Sequence, residues 1–342
     1  MARRDRPAGG KPKIDTMEDL STAIGVSRPT LSRYFQDPTS VRGSTSDKIR
    51  RGLDRVEYVP NFFATRMNRK TTGLIGVVIP YLNDLYFTKL LEAIERAAME
   101  QGYTVITQSS HADPVIEARA AETLLSMNVD GAVVAPLGNQ SDVAVHHRLG
   151  SRLPLVLVDS HPKTMPELDF VGSDHLRSTA LMVDYLSRVG APPVFLAMPR
   201  VNFNAMERGT AYIARMEALG HTPQVIGTEA LGAGWHYEPH GLAVMDAAFG
   251  RGQLTDRSIL CVNDRVAIGA LHAAMRHQLS PGAAGLGGLR VAGHDDYPLS
   301  RYTTPALTTV AQDVEAIGRA AVTRLVAKIG GEGGASTHGP AL

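Results

Sequence analysis

The chain has 342 residues, of which 44% are hydrophobic and 20% are charged, and its formal net charge is +1. This composition excludes a largely disordered chain, and the length suffices for two or three domains with cores of their own. The single cysteine, Cys261, excludes an intramolecular disulfide and fits a reducing compartment. No run of about 18 apolar residues is present, so we expect neither a secretion signal nor a membrane span. We therefore expect a cytoplasmic protein.

The charges are unevenly distributed along the chain. Residues 1–70 hold 15 Lys and Arg against 8 Asp and Glu, whereas residues 71–342 hold 20 against 26. A basic segment joined to a mildly acidic remainder suggests that the first part meets a polyanion, either nucleic acid or a membrane surface. Residues 1–13 are predicted to be a disordered basic arm, and the Gly-rich residues 330–342 a flexible tail.

Two short helices are predicted at the start of the basic part, within residues 14–60. Thr16 is placed to cap the first helix, which ends at Gly25. Ser27 can cap the second helix, and Pro29 lies in its first turn, where the missing N–H would have no helical partner in any case. A helix, a three-residue turn with glycine and a second helix form the helix-turn-helix pattern, whose second helix enters the DNA major groove.

The second helix presents a polar outer face. Leu31 and Phe35 can face the first helix, which leaves on the outside Arg28, Pro29, Ser32 and Arg33. Arginine pairs bidentately with guanine, while Ser, Thr and helix N-terminal N–H groups suit phosphate oxygens. The alternative is a helical bundle with a solvated basic face, which gives no reason for Ser, Thr and Arg to concentrate at a helix N-terminus. A third helix is predicted to begin after Ser44.

Residues 16–72 resemble the headpiece of the LacI/GalR family of transcription regulators, and the resemblance continues through the rest of the chain. Its most specific parts are the turn "GVS..T.SR" and the "Y.PN..A" that ends the headpiece. The resemblance implies a homodimer that binds pseudo-palindromic, double-stranded operator DNA. The residues that it places on DNA are Thr16, Ser27, Arg28, Pro29, Thr30, Ser32, Arg33, Asn61, Ala64 and Met67.

Residues 61–72 match the hinge helix of this family, which orders on operator DNA and inserts an apolar side chain into the minor groove. Met67 stands where leucine is usual and provides a more flexible wedge. Gln36 replaces an asparagine common at the end of the recognition helix. Base reading is expected mainly from Arg28 and Arg33, and the operator sequence stays open.

From residue 73 to residue 329 the chain alternates short apolar runs with amphipathic helical patterns. The runs predicted as buried parallel strands are 73–80, 103–108, 129–136, 153–159, 193–199, 224–230, 258–264 and 289–296. Two such sheets in succession resemble the periplasmic sugar-binding proteins, to which the LacI/GalR effector domain is similar. The predicted fold is therefore a small all-α helix-turn-helix domain followed by an α/β effector domain of two parallel-sheet lobes, with its ligand in the cleft between them.

Polar and aromatic residues follow several of these strands. Arg208 and Asp264 match the effector-binding arginine and aspartate of the family, and Tyr86 a ring that often stacks on a sugar or base. Arginine and aspartate can each make paired hydrogen bonds to adjacent hydroxyls, as a polyol requires. Asp174 and Asp295 match positions with partly structural roles. The candidate effector-binding residues are Asp84, Tyr86, Phe87, Arg208, Trp235, Asn263 and Asp264.

The sequence carries no P-loop, no GxGxxG after a strand and no GxSxG elbow. We therefore expect no enzyme, no catalytic residues, no cofactor and no metal site. The resemblance favours a repressor controlled by a sugar or sugar derivative. A purine- or nucleoside-responsive regulator is the alternative within the class, and a solute-binding protein without DNA function or an enzyme on the same scaffold are alternatives outside it. A dimer is favoured over a tetramer, because no leucine heptads follow the effector domain.

Overall fold

The computed structural model describes residues 11–61, 71–161, 164–199, 203–229, 236–282 and 288–331. The chain divides into two units, Met1–Thr72 and Gly73–Leu342. The described helices of the first unit are α1 (Met17–Ile24), α2 (Arg28–Gln36) and α3 (Gly43–Leu53).

The turn between α1 and α2 follows the predicted pattern. The Thr16 hydroxyl accepts a hydrogen bond from the backbone N–H of Asp19 at 3.1 Å and caps α1. Gly25 ends α1 with φ of 68°, a left-handed conformation that glycine adopts without a Cβ penalty. Ser27 lies at the N-cap position of α2, but its hydroxyl contacts the Thr30 hydroxyl at 2.9 Å and caps no amide.

Two details of the first unit differ from the sequence prediction. Helix α3 begins at Gly43, after an extended Arg42, and Ser44 lies in its first turn. The exposed amides there can be satisfied by water, so burial of Ile49 rather than a side-chain cap fixes the helix. The predicted disordered arm is also too long. The N–H of Glu57 donates to the Pro12 carbonyl at 3.0 Å, which pairs residues 11–13 with the chain after α3, whereas residues 1–10 lie outside the described part.

One fully buried side chain from each helix forms the centre of the first unit. Leu20 of α1, Leu31 of α2 and Ile49 of α3 have no exposed surface. Burial of each such side chain contributes about 1.5–3 kcal/mol. Because α2 turns Leu31 inwards, its polar residues are on the opposite, solvent-facing side.

The second unit contains two sheets whose described strands are all parallel. The described strands are β1 (Leu74–Ile79), β2 (Thr104–Ser109), β3 (Gly131–Val134), β4 (Leu155–Val158), β5 (Asp169–Val171), β6 (Val194–Leu196), β7 (Val225–Ile226), β8 (Ser258–Cys261) and β9 (Arg290–Ala292). The strand order is β2-β1-β3-β4-β5 in the first sheet and β7-β6-β8-β9 in the second. The helices are α4 (Leu85–Glu100), α5 (Pro114–Ser126), α6 (Val143–Gly150), α7 (His175–Val189), α8 (Phe203–Ala218), α9 (Tyr237–Gly250), α10 (Asp264–Arg276) and α11 (Val314–Ile329).

The predicted fold class is confirmed, and each of the eight predicted strands is present. The prediction missed β5, which pairs with β4 at the edge of the first sheet. Its three residues include Asp169 and form no apolar run, so periodicity could not identify it. No described helix combines the length and apolar character needed to cross a membrane.

The first lobe is built from two distant parts of the chain. It comprises the first sheet with α4, α5 and α6, and helix α11, which packs on α4 and on β3 to β5. A Cβ at Gly318 would clash with Ala93 and Ile94 of α4, so this glycine permits the close approach of α11. The second lobe comprises the second sheet with α7 to α10.

Candidate functional site

The carboxyl ends of the strands deliver polar side chains into a cleft between the two lobes. Parallel strands all end at the same edge of a sheet, so their following loops gather there. The polar side chains that line this cleft include Asp84, Asp159, Asn204, Arg208, Asn263, Arg265, Asp295 and Gln312.

Arg208 of α8 is the more deeply buried of the two arginines that line the cleft. Its side chain is 5% exposed, and it donates to the Val262 carbonyl and to Asp295, both at 2.8 Å. Its Nε also donates to Nδ1 of His175 at 3.3 Å. The guanidinium has five N–H groups, so some donors stay available for a ligand.

Asp295 is the counter-ion of Arg208. Burial alone would raise the pKa of this carboxyl, but the Arg208 guanidinium and hydrogen bonds from His294 and Gln312 outweigh burial and hold the pKa at about 2. Burial and the neighbouring Arg208 lower the pKa of His294 to about 4. At neutral pH the cleft therefore holds an ionised Asp295 beside a neutral imidazole.

Arg265 connects the two lobes. It lies at the start of α10 in the second lobe and donates at 2.7 Å to Asp84, the N-cap residue of α4 in the first lobe. Arg265 also donates two hydrogen bonds to Glu238, at 2.6 and 2.9 Å. Its guanidinium lies 4.7 Å from the ring centre of Tyr237. We call the ion pair of Arg265 with Asp84 the interlobe latch.

Asp159 follows β4 and is a buried carboxylate of a different kind. Its Oδ1 accepts from Nδ2 of Asn204 at 3.0 Å, and no ion pair with it is formed by the described residues. The Tyr86 hydroxyl faces it without a well-formed hydrogen bond. Burial raises the pKa of Asp159 to about 7, although Arg208 opposes this shift. Its φ of 64° is unusual for a residue other than glycine.

Asp264 lies at the start of α10. Its carboxylate is fully buried and accepts hydrogen bonds from the Tyr297 N–H at 2.8 Å, the Ser300 hydroxyl at 2.6 Å and the Thr309 hydroxyl at 2.7 Å. These bonds hold the segment after β9 against the start of α10. Asp264 is therefore absent from the described lining of the cleft, and its effector role stays a prediction, whereas Asp295, expected to be partly structural, lines the cleft together with Asp84 and Asp159.

The other predicted effector residues divide between cleft and core. Tyr86 and Asn263 line the cleft, and the Asn263 side chain also caps α10 by accepting from the Val266 N–H. Phe87 is 3% exposed and belongs mainly to the core. Trp235 lies outside the described residues, so its role stays a prediction.

Several residues of the cleft were not predicted from the sequence, among them Asp159, Asn204, Arg265 and Gln312. Asp159 ended the predicted run "LPLVLVD", at the carboxyl end of a strand, which was a usable signal. The remaining three, whose positions no strand pattern singles out, are Asn204, Arg265 and Gln312.

The cleft itself is narrow. Its free volume is roughly 40 Å³, well below the 300–1,000 Å³ or so of small-molecule pockets. A cavity of roughly 330 Å³ adjoins it and shares Tyr86, Asp295, Tyr297 and Gln312 with its lining. A sugar-sized ligand therefore needs the lobes to separate or must extend into this neighbouring cavity.

The predicted DNA-binding residues of α2 lie on an accessible face. Ser27, Arg28, Pro29 and Arg33 are exposed, and the side chains of Thr30 and Ser32 are half-buried. Arg28 pairs with Glu18 at 3.0 Å, but exposed ion pairs contribute only about 0–1 kcal/mol, so this pair does not prevent a contact with DNA. Thr16 and Asn61 are also exposed, whereas Ala64 and Met67 lie outside the described residues.

Comparison with known proteins finds similarity along nearly the whole chain. A family model described as "Periplasmic binding protein-like domain" matches residues 183–340. The HTH-type transcriptional regulator MalR of Streptomyces coelicolor is 27% identical over 321 residues, which are 92% of this chain and 90% of MalR. The structure of the lac repressor dimer bound to operator and the anti-inducer ONPF is similar with a TM-score of 0.79, 24% identity and 93% of each chain covered. A complex of the transcriptional regulator CelR with cellobiose has a TM-score of 0.66, 20% identity and 95% of each chain covered.

The three buried hydrogen bonds that Asp264 accepts predict a loss of stability on substitution. Asp264→Ala leaves three donors without their acceptor, at about 1–3 kcal/mol for each buried donor. We expect the free energy of unfolding to fall by about 3 kcal/mol or more, measured by urea denaturation. Asp256→Ala, which removes an exposed aspartate before β8, should change it by about 0.5 kcal/mol at most. An equally small effect of Asp264→Ala would contradict this structural role.

The raised pKa of Asp159 predicts a pH-dependent effect of Asp159→Asn. Between the ordinary aspartate pKa near 4 and the folded pKa of about 7, the folded chain binds more protons than the unfolded chain, so this group makes unfolding easier as pH rises. Asparagine keeps the acceptor for Asn204 and removes the titration. The melting temperature of the variant relative to the unaltered protein should therefore be higher at pH 8 than at pH 5. The same difference at both pH values would contradict the shift.

Proposed function

We propose that the chain is a member of the LacI/GalR family of DNA-binding transcription regulators, and that it is a repressor whose affinity for operator DNA is controlled by a sugar or sugar derivative in the interlobe cleft. The similarity to the regulators and to the lac repressor described above supports this proposal. The buried pair of Arg208 and Asp295 in that cleft is the observation that carries the effector half of the proposal.

The DNA-binding half is supported by the exposed start of α2. A helix N-terminus with Ser27, Thr30 and Arg33 offers hydroxyl, N–H and guanidinium donors to phosphates and base edges. One headpiece contacts one half-site, so a homodimer would bind a pseudo-palindromic operator. The lac repressor is similar to this chain and was crystallised as a dimer on its operator. This activity requires access to DNA, and we place it in the cytoplasm.

The effector half is supported by the chemistry of the cleft. Arg208 and Asp295 provide donors and acceptors that match adjacent hydroxyl groups, and Tyr86 provides a ring beside them. A solved structure of the similar regulator CelR is a complex with cellobiose. A ligand that binds one arrangement of the lobes more tightly than the other would shift operator affinity by that difference.

Arg33→Ala should weaken operator binding about 5- to 150-fold, because a bidentate contact to a base is worth about 1–3 kcal/mol. The measurement is fluorescence anisotropy with an operator selected from a random duplex pool. Arg119→Ala removes the same charge from an exposed position of the second unit and should leave binding unchanged. If both variants weakened operator binding equally, the loss would come from the change in net charge and not from a contact of Arg33 with DNA.

Arg208→Ala should abolish the response of operator binding to sugars and leave operator binding itself intact. The Arg208→Lys variant keeps the charge without the planar fork and should respond only weakly. Circular dichroism checks that both variants are folded. A normal response of folded Arg208→Ala would place the effector outside this cleft, and a response only to purines or nucleosides would replace the sugar in the proposal.

A further inference from the structure

We infer that the effector carries no acidic group, and that the Asp159 carboxylate is the side chain that rejects sugar acids and sugar phosphates. This inference rests on the function proposed above and narrows the class of its ligand to neutral or amine-bearing polyhydroxy compounds. It follows from the balance of charged groups around the described cleft.

The two cations of the cleft are already neutralised by carboxylates. Arg208 pairs with Asp295 at 2.8 Å, while Arg265 pairs with Asp84 at 2.7 Å and with Glu238 at 2.6 Å. An anionic ligand would have to displace a carboxylate from one of these guanidinium groups. Displacement of Asp295 or Asp84 would leave that carboxylate buried without its paired cation, which is unfavourable.

Asp159 adds a carboxylate for which the described residues supply no paired cation. Asp159 lies at the end of β4 and is 7% exposed. It accepts a hydrogen bond from Asn204, whose side-chain amide is neutral. At pH 8, above its pKa of about 7, the Asp159 side chain is mainly a carboxylate, which accepts hydrogen bonds only. A ligand hydroxyl or ammonium group can donate to it, whereas a ligand carboxylate or phosphate would bring like charges together in a narrow, buried site.

The neighbouring cavity also carries an excess of negative charge. Its described lining contains two cations, Lys89 and Arg96, against five acidic side chains, which are Glu92, Asp295, Asp296, Asp313 and Glu315. Arg96 pairs with both Glu92 and Glu315, at 3.1 and 3.3 Å. A ligand that extends from the cleft into this cavity therefore meets a second surface with excess negative charge.

The test compares sugars that share one pyranose ring and differ in a single neutral, basic or acidic substituent. The full chain is titrated at pH 8, by isothermal calorimetry, with D-glucose, D-glucosamine, D-glucuronate and D-glucose 6-phosphate, and with the same four forms of galactose and mannose. In any series that binds, we expect the neutral or amino form to bind at least tenfold more tightly than both acidic forms. Tightest binding of a uronate or a phosphate would overturn the inference and leave the proposed function intact.

The Asp159→Asn variant tests the assigned residue. Asparagine keeps a similar shape and removes the charge, so the preference for the neutral over the acidic form should fall by about tenfold, mainly through tighter binding of the acidic form. Asp256→Asn removes an exposed charge at the opposite edge of the second sheet and should leave the preference unchanged. Equal changes in both affinities on Asp159→Asn would overturn the role of Asp159. No binding in any series would contradict the sugar effector itself, and this inference with it.

Discussion

The buried guanidinium of Arg208 is the interaction on which the cleft depends. A buried cation is unfavourable by several kcal/mol unless hydrogen bonds and counter-charges surround it, and here these come from Val262, His175 and Asp295. The requirement fixes the segment after β9, since the backbone of Asp295 has φ of 117°, which side-chain-bearing residues rarely adopt. The polar network thus holds the backbone of the second lobe in place and also offers a surface to a ligand.

The interlobe latch sets a different condition. Asp84 caps α4 and binds Arg265, so closing the lobes joins a helix N-terminus of one lobe to the first turn of a helix in the other. A ligand that enters between the lobes competes with contacts that the protein already makes to itself. Only the difference between ligand contacts and these existing contacts can change the conformational equilibrium.

Sequence patterns predicted the fold well because most of the predicted strands, among them β1, β3, β4, β6 and β8, are apolar runs that both faces of a parallel sheet bury, whereas β2 and β7 are only partly buried. The sequence did not predict the role of a residue where that role depends on which residues lie beside it in the folded chain. Asp264 and Asp295 both follow strands, and nothing local distinguishes the carboxylate that binds Ser300 and Thr309 from the one that meets Arg208. The latch joins residues 181 positions apart, beyond the reach of any local pattern.

The return of α11 to the first lobe has a consequence for biosynthesis. The first sheet is complete by residue 171, but helix Val314–Ile329, which covers β3 to β5, is the last described helix of the chain to be translated. The second lobe, by contrast, is made from one continuous stretch. Because folding proceeds as the chain emerges, the second lobe can complete its core while β3 to β5 of the first lobe still lack the helix that covers them. Apolar strand surface of the first lobe therefore stays uncovered until α11 has been made.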